Sequence, residues 1–414
     1  MKRGLILLVL AVCVSAATAL IVSQRHARRY AAQLAEQQAT WQVEKADLEL
    51  ALAEARDTAR RMAAAQVTLA PAGSSPSQPR LSPKEIVEKL KALRVSAGTS
   101  SSRTLRAAVY WLEELAQAGS DAVPAIREFL ARYEDLDLDT SWFQGRSSRD
   151  QLPTDFPLPP SLRFGLFDVL RQIGGSEAEK ALSEALGSTG RGVEVAYLSR
   201  LLQELSPNKY RDQALNAARA LLTSTALLNS SSPLDRNHRD YLFAVLTQLG
   251  DSGFAAEAQS QLVGNNQVDR GALKYLQQTL GTQSVPIAAQ AYQNPTLTNS
   301  AGKEPLARLA LSFVGADASA NEFYQAAIND SLLTPSHRKN LIEDLNEDGL
   351  DFRNLTTRDL PIIENRIKLI ETIAPNAMDQ ANAAAFQEAY KDLVNMRGKI
   401  TGVPPATTRL PSQR

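Results

Sequence analysis

Ala107-Ala108-Val109-Tyr110-Trp111-Leu112-Glu113-Glu114-Leu115-Ala116-Gln117-Ala118-Gly119, then Ala122-Val123-Pro124-Ala125-Ile126-Arg127-Glu128-Phe129-Leu130, decides the fold. A Leu- and Ala-rich stretch of helical composition stops at a glycine, and a second one starts after two polar residues. Glycine is the residue that ends a helix in the left-handed conformation at little cost, so the pair reads as helix, tight turn, helix. Neither helix could bury its apolar face alone, and the pair needs a neighbour.

Neighbours are present. The same arrangement returns as Leu166-Phe167-Asp168-Val169-Leu170-Arg171-Gln172-Ile173-Gly174 followed by Ala178 to Leu186. Weaker copies turn at Leu205-Ser206-Pro207, Leu249-Gly250-Asp251, Leu280-Gly281-Thr282 and Val314-Gly315-Ala316, with a last turn at Leu345-Asn346. From Gly174 onward the turns fall roughly 31 to 44 residues apart, the period of a stacked two-helix unit. The pattern resembles HEAT-type repeats over roughly residues 103–350, most closely in Leu115-Ala116-Gln117-Ala118-Gly119-Ser120-Asp121-Ala122-Val123-Pro124-Ala125-Ile126. The resemblance implies an all-α solenoid and carries no specific activity. Composition agrees: aromatics are only 6%, and Ala, Leu and Gln are abundant, which suits helices rather than sheets.

Upstream, Lys2 and Arg3 precede an uninterrupted weakly polar run from Gly4 to Val22, long enough to cross a bilayer as a helix. Residues 1–23 therefore read as a transmembrane anchor or a signal peptide. Ala17-Thr18-Ala19 offers a cleavage site, whereas Leu20-Ile21-Val22 carry the run on to spanning length and favour an uncleaved anchor. The expected placement is a single-pass membrane protein with its large domain outside the cytoplasm, or a secreted or periplasmic protein after cleavage. Residues 24–66 contain no Pro or Gly and read as one long helix. Leu34, Trp41, Leu48, Ala55 and Met62 recur at seven, while Ala31, Gln38, Lys45, Leu52 and Ala59 form a more polar second seam. A coiled coil needs both seams filled, so this one is weak, either a dimerising stalk or a solvated spacer. Residues 67–102 form a Pro- and Ser-rich linker holding one short amphipathic helix, with Ile86, Val87, Leu90 and Leu93 on one face.

The repeat domain is expected over 103–400, with a disordered tail at 401–414. One insertion, 134–160, breaks its spacing. It carries Asp135, Asp137 and Asp139, then Trp142 and Phe143, then Pro153, Pro157, Pro159 and Pro160. The favoured reading is a loop packed along the helices and pinned by Trp142 and Phe143. Should it project instead, those two aromatics are the candidate partner contacts.

No constellation for bond chemistry stands out. The alternating aspartates lack the Gly and Glu of a calcium loop, with Thr140 and Arg146 in those places. His26, His238 and His337 are far apart, none is followed by Glu, and the single cysteine, Cys13, lies inside the apolar run. Gly187-Ser188-Thr189-Gly190-Arg191-Gly192 follows a helix and lacks the Lys-Ser/Thr of a phosphate cradle, so it reads as a turn between helices. No catalytic, cofactor-binding or metal residue is assigned. With 45 basic against 45 acidic residues there is no field for nucleic acid. The expected function is a non-catalytic, membrane-tethered helical scaffold that binds a protein or peptide. The alternative is an envelope spacer that self-associates through 24–66, and an enzyme with its site in the solenoid groove is the least favoured class.

Overall fold

In a computed structural model of the chain, residues 81–93, 102–143, 156–224, 232–351, 354–376, 380–404 and 408–411 are described. The chain divides into two units, Met1–Arg80 and Leu81–Arg414, and all the described residues belong to the second. The expected anchor at 4–22 and helix at 24–66 lie outside the described residues. Among those described, no helix is long and apolar enough to cross a membrane.

The second unit is all-α but for one two-residue hairpin. Helix α1 (Pro83–Lys91) starts on a capping box: Ser82 and Glu85 each bond the other's backbone N–H, and Pro83 occupies the first turn. Its Ile86, Val87 and Leu90 are buried, a burial worth on the order of 5 kcal/mol in total, which holds a nine-residue helix that could not stand alone. Helices α2 (Ser102–Gln117) and α3 (Val123–Leu130) flank a 3₁₀ turn at Gly119–Ala122. Next come α4 (Leu162–Ile173), α5 (Gly175–Ser188), α6 (Gly192–Leu205), α7 (Arg211–Thr223), α8 (His238–Gln248) and α9 (Ala255–Ser260). After a hairpin of β1 (Val263–Gly264) and β2 (Gln267–Val268) follow α10 (Arg270–Leu280), α11 (Ser284–Tyr292), α12 (Ser300–Leu311), α13 (Ala318–Ile328) and α14 (Pro335–Glu343). Helices α15 (Leu360–Ile373) and α16 (Gln380–Thr401) close the order.

From α4 to α14 most helices pack on their sequence neighbours, and several also pack on the helix two places along: α4 on α6, α6 on α8, α8 on α10, α10 on α12, and likewise α5 on α7 and α11 on α13. The core is therefore drawn out along the stack rather than gathered at one centre. Side chains about thirty residues apart repeat the same seam: Arg163 reaches Glu194, Ser183 Gln213, Arg219 Asp251, and Arg239 Asp269. The glycines read as turn residues, Gly119, Gly174, Gly250, Gly281 and Gly315, all have positive φ. Gly315 is the tightest of them. At φ +89° an added Cβ would also lie 2.6 Å from the Ile362 carbonyl oxygen.

The hairpin was not read from the sequence. Asn265 and Asn266 both take positive φ, as a two-residue turn of this hand requires, and the Asn266 side chain accepts from Thr298 N–H at 2.8 Å.

At the C-terminal end, α16 packs on both α14 and α15. Part of the tail expected to be disordered is docked instead. Leu410 is 1% exposed, the Gln387 side-chain amide donates to Thr408 O at 2.7 Å, and its oxygen accepts from Leu410 N–H at 3.0 Å. One glutamine thus satisfies both polar groups of an extended strand of chain, which the composition of 401–414 gave no hint of.

Arg366 of α15 is 1% exposed and has no carboxylate partner in its hydrogen bonds. It donates to four carbonyl oxygens, of Val314 at 2.8 Å, Leu345 at 2.6 Å, Leu311 at 3.0 Å and Asp348 at 2.8 Å. Those oxygens lie at and after the C-termini of α12 and α14, where helix carbonyls lack internal partners and carry partial negative charge. Burial lowers the guanidinium pKa to about 10, partly offset by Asp348 and Tyr324, which still leaves it charged at neutral pH.

Candidate functional site

Helices α6, α8, α10 and α12 line a polar groove. It consists of two depressions of about 560 and 740 Å³ that share Arg270, Lys274 and Gln278 of α10. Ala196 and Arg200 of α6 and Asp240, Ala244, Thr247 and Gln248 of α8 line the first. Glu304, Arg308 and Ser312 of α12, with Asp348, line the second. The helical spacing of four accounts for the lining: Arg270, Lys274 and Gln278 on α10, and Glu304, Arg308 and Ser312 on α12, each form one stripe of a helix. Close packing beneath the groove needs a small residue. A Cβ on Gly271 would meet the Asp240 carboxylate and the Phe243 ring, each at 2.9 Å.

The groove's charges divide into those already engaged and those left over. Arg308 pairs with Glu304 at 2.6 Å and also with Asp344. Ser312 receives a hydrogen bond from Gln277 at 3.0 Å and donates to Asp348 at 2.9 Å. Asp240 and Lys274 each have a partner as well. Arg200 and Arg270 have no ion-pair or hydrogen-bond partner among the described residues, so the uncommitted charge in the groove is positive. Tyr275 offers no reactive phenolate. Burial, with Asp251 adding to it, pushes its pKa up to about 12, and its hydroxyl donates to Asp251 O at 2.6 Å.

Elsewhere, pairings that suggest chemistry are committed to holding helices together. Ser300 Oγ and His337 Nδ1 are 2.6 Å apart, as in a serine–histidine dyad, but Ser300 Oγ also accepts from Thr334 N–H at 2.9 Å and Ser300 is buried. The pair links the start of α12 to the start of α14. His238 Nδ1 accepts from Gly192 N–H at 2.8 Å and links α8 to α6 in the same way. Lys303, 7% exposed, lies 4.1 Å over the Tyr292 ring and 3.1 Å from Asp330, which also accepts from the Tyr292 hydroxyl at 2.8 Å. Among the described residues no group of three His, Cys, Asp or Glu side chains could hold a metal ion.

The insertion is tied down at both of its described ends. Arg163 and Glu194, 2% and 0% exposed, form a two-pronged ion pair of 2.8 and 2.9 Å, and Thr189 donates to Glu194 at 2.7 Å. Arg191 joins Glu194 to Asp235, at 2.9 Å, and to Asp135 of the insertion. Ser232 donates to Asp137 at 3.1 Å. The aspartates that superficially suggest a calcium loop thus face arginine and serine. Leu138 N–H donates to Pro160 O at 2.8 Å, bringing the two ends of the insertion side by side. Trp142 and Phe143 sit in an aromatic cluster with Phe156, Phe164 and Tyr197: Trp142 is 4.8 Å from Phe143 and 5.9 Å from Phe156, and Phe164 is 4.6 Å from Tyr197. Phe143 is 6% exposed and Trp142 half-buried, so neither presents a free ring to solvent. The sequence reading singled out these two aromatics and passed over Arg200, Arg270 and Lys274. The signal that points to the latter is the polar stripe at a spacing of four on α10, visible once α10 is placed on one side of the stack.

No family model, no curated protein and no solved structure matches this chain.

Proposed function

We propose that this protein is a non-catalytic helical-repeat scaffold of HEAT-like solenoid type, tethered to a membrane through residues 4–22, that holds a protein or peptide partner in the groove along α6, α8, α10 and α12. The groove carries the reading. It follows the direction of stacking, and the hydroxyls, amides and charges that line it suit the main chain and side chains of an extended segment. The packing of each helix on the next and on the one after supports the solenoid assignment, since stacked pairs produce that order of neighbours. The basic leader and apolar run place the helical domain outside the cytoplasm in this reading. The engagement of Ser300, His337, Lys303 and Asp330 in helix–helix links speaks for binding rather than bond chemistry.

Photo-crosslinking tests the groove. A benzophenone amino acid is placed at Gln278 or Ser312 of the full-length protein in its native membrane, with Lys180 of α5, outside the groove, as control. A discrete adduct from the groove positions and not from Lys180 is the expected outcome. Adducts equal at all three positions, or none from the groove, refute the reading.

A further inference from the structure

Resting on that groove reading, we propose that its occupant is an acidic segment in extended conformation whose carboxylates pair with Arg200 and Arg270. The argument is one of remaining charge. Every carboxylate lining the groove is engaged within the protein: Glu304 by Arg308, Asp348 by Ser312, and Asp240 by a partner of its own. Of the four cationic side chains, Arg308 and Lys274 are engaged too. The two that remain, Arg200 on α6 and Arg270 at the start of α10, line the same 560 Å³ depression on either side of α8. Arginine presents a planar fork of N–H donors that matches a carboxylate in two-pronged fashion. Two such forks in one depression call for two acidic groups in one ligand, and the intervening wall of Ala244, Thr247 and Gln248 gives a main chain room and polar partners. A basic segment would meet two unneutralised cations and would find every carboxylate already in use, so the charge selects against it.

The test uses full-length protein in detergent micelles and a fluorescein-labelled dodecapeptide of alternating glutamate and serine, with its glutamine counterpart, read by fluorescence anisotropy. The glutamate peptide is expected to bind at least about tenfold more tightly than the glutamine one, a difference of about 1.4 kcal/mol. That preference is expected to disappear in the R200E/R270E double variant and to shrink as salt is raised. R200Q/R270Q, which removes charge without reversing it, provides the same readout should the reversal disturb folding. Ala244→Trp, which fills the depression, is expected to weaken both peptides. If the two peptides bind alike and Ala244→Trp abolishes both, the groove stands and the acidic assignment falls. If the glutamate peptide binds unchanged to Ala244→Trp and to both arginine variants, the groove itself is the wrong site. Binding of neither peptide overturns the acidic assignment and leaves the crosslinking experiment to decide the groove.

Discussion

Replacing Arg366 by methionine should cost more stability than almost any other single change in the helical unit. The arginine holds four main-chain oxygens at 2.6–3.0 Å with no carboxylate to share them. A hydrogen bond from a charged donor contributes about 1.5–3 kcal/mol net, so four give roughly 6–12 kcal/mol. Keeping a guanidinium at 1% exposure costs several kcal/mol in lost hydration, and methionine recovers that term together with some packing. The expected net loss is about 3–5 kcal/mol, because the four oxygens stay buried without their donor. Lysine should recover less than half, since a single ammonium offers three donors from one point and cannot span four oxygens fanned around a plane. Urea unfolding of the full-length protein measures the loss. Hydrogen exchange should speed up most over 311–349 and 360–373, the segments joined by the arginine. A loss below about 1 kcal/mol for Arg366→Met, or faster exchange confined to residues before 300, would refute the reasoning.

Three further changes follow from features described above. Gly315→Ala should destabilise by about 2–4 kcal/mol in a thermal melt, because it combines a left-handed φ with a contact at 2.6 Å to the Ile362 carbonyl. His238 gives stability a pH dependence. Burial, the largest influence and only partly opposed by Asp235, lowers its pKa from the ordinary 6.5, so the neutral ring accepts from Gly192 N–H. The unfolded chain binds the proton first, so this contribution is fully present above about pH 6.5 and is lost as the pH falls below it. In His238→Asn, which keeps an acceptor but does not titrate there, the slope of unfolding free energy between pH 7 and 5 should be shallower. Truncation after Pro404 should lower stability by about 1.5–3 kcal/mol, the burial of one leucine, and Gln387→Ala in the intact chain should reproduce part of that loss.

The sequence disclosed the helices and their turns because those depend on local chemistry: glycine at Gly119, Gly174, Gly250, Gly281 and Gly315 ends helices by its backbone freedom alone. The docked tail, the Arg366 hub and the buried Arg163–Glu194 pair were illegible for the opposite reason. Each joins residues separated by 21 to 55 positions, and nothing near Gln387 or Arg366 distinguishes it from an ordinary solvated helix face. The groove lay between these extremes. Its stripe on α10 is periodic and therefore local, but whether a polar stripe faces solvent or a cleft depends on where α8 and α12 lie. Trp142 and Phe143 drew notice as large aromatics in a loop, the very property that places them against Phe156 and Tyr197.

The bond from Ser232 to Asp137 spans 95 residues, and it sets an order of events while the chain is being made. At synthesis rates of about 5–20 residues per second, the acidic insertion emerges some 5–20 s before the serine that receives it. The Asp235 end of the Arg191 bridge arrives equally late. During that interval the strip holding Asp135 and Asp137 has only Arg163, Arg191 and the Phe156–Phe164–Tyr197 rings to hold it, all of them supplied by about residue 197. The aromatic cluster thus works as a temporary clasp for a nascent chain whose permanent fastening has yet to be translated.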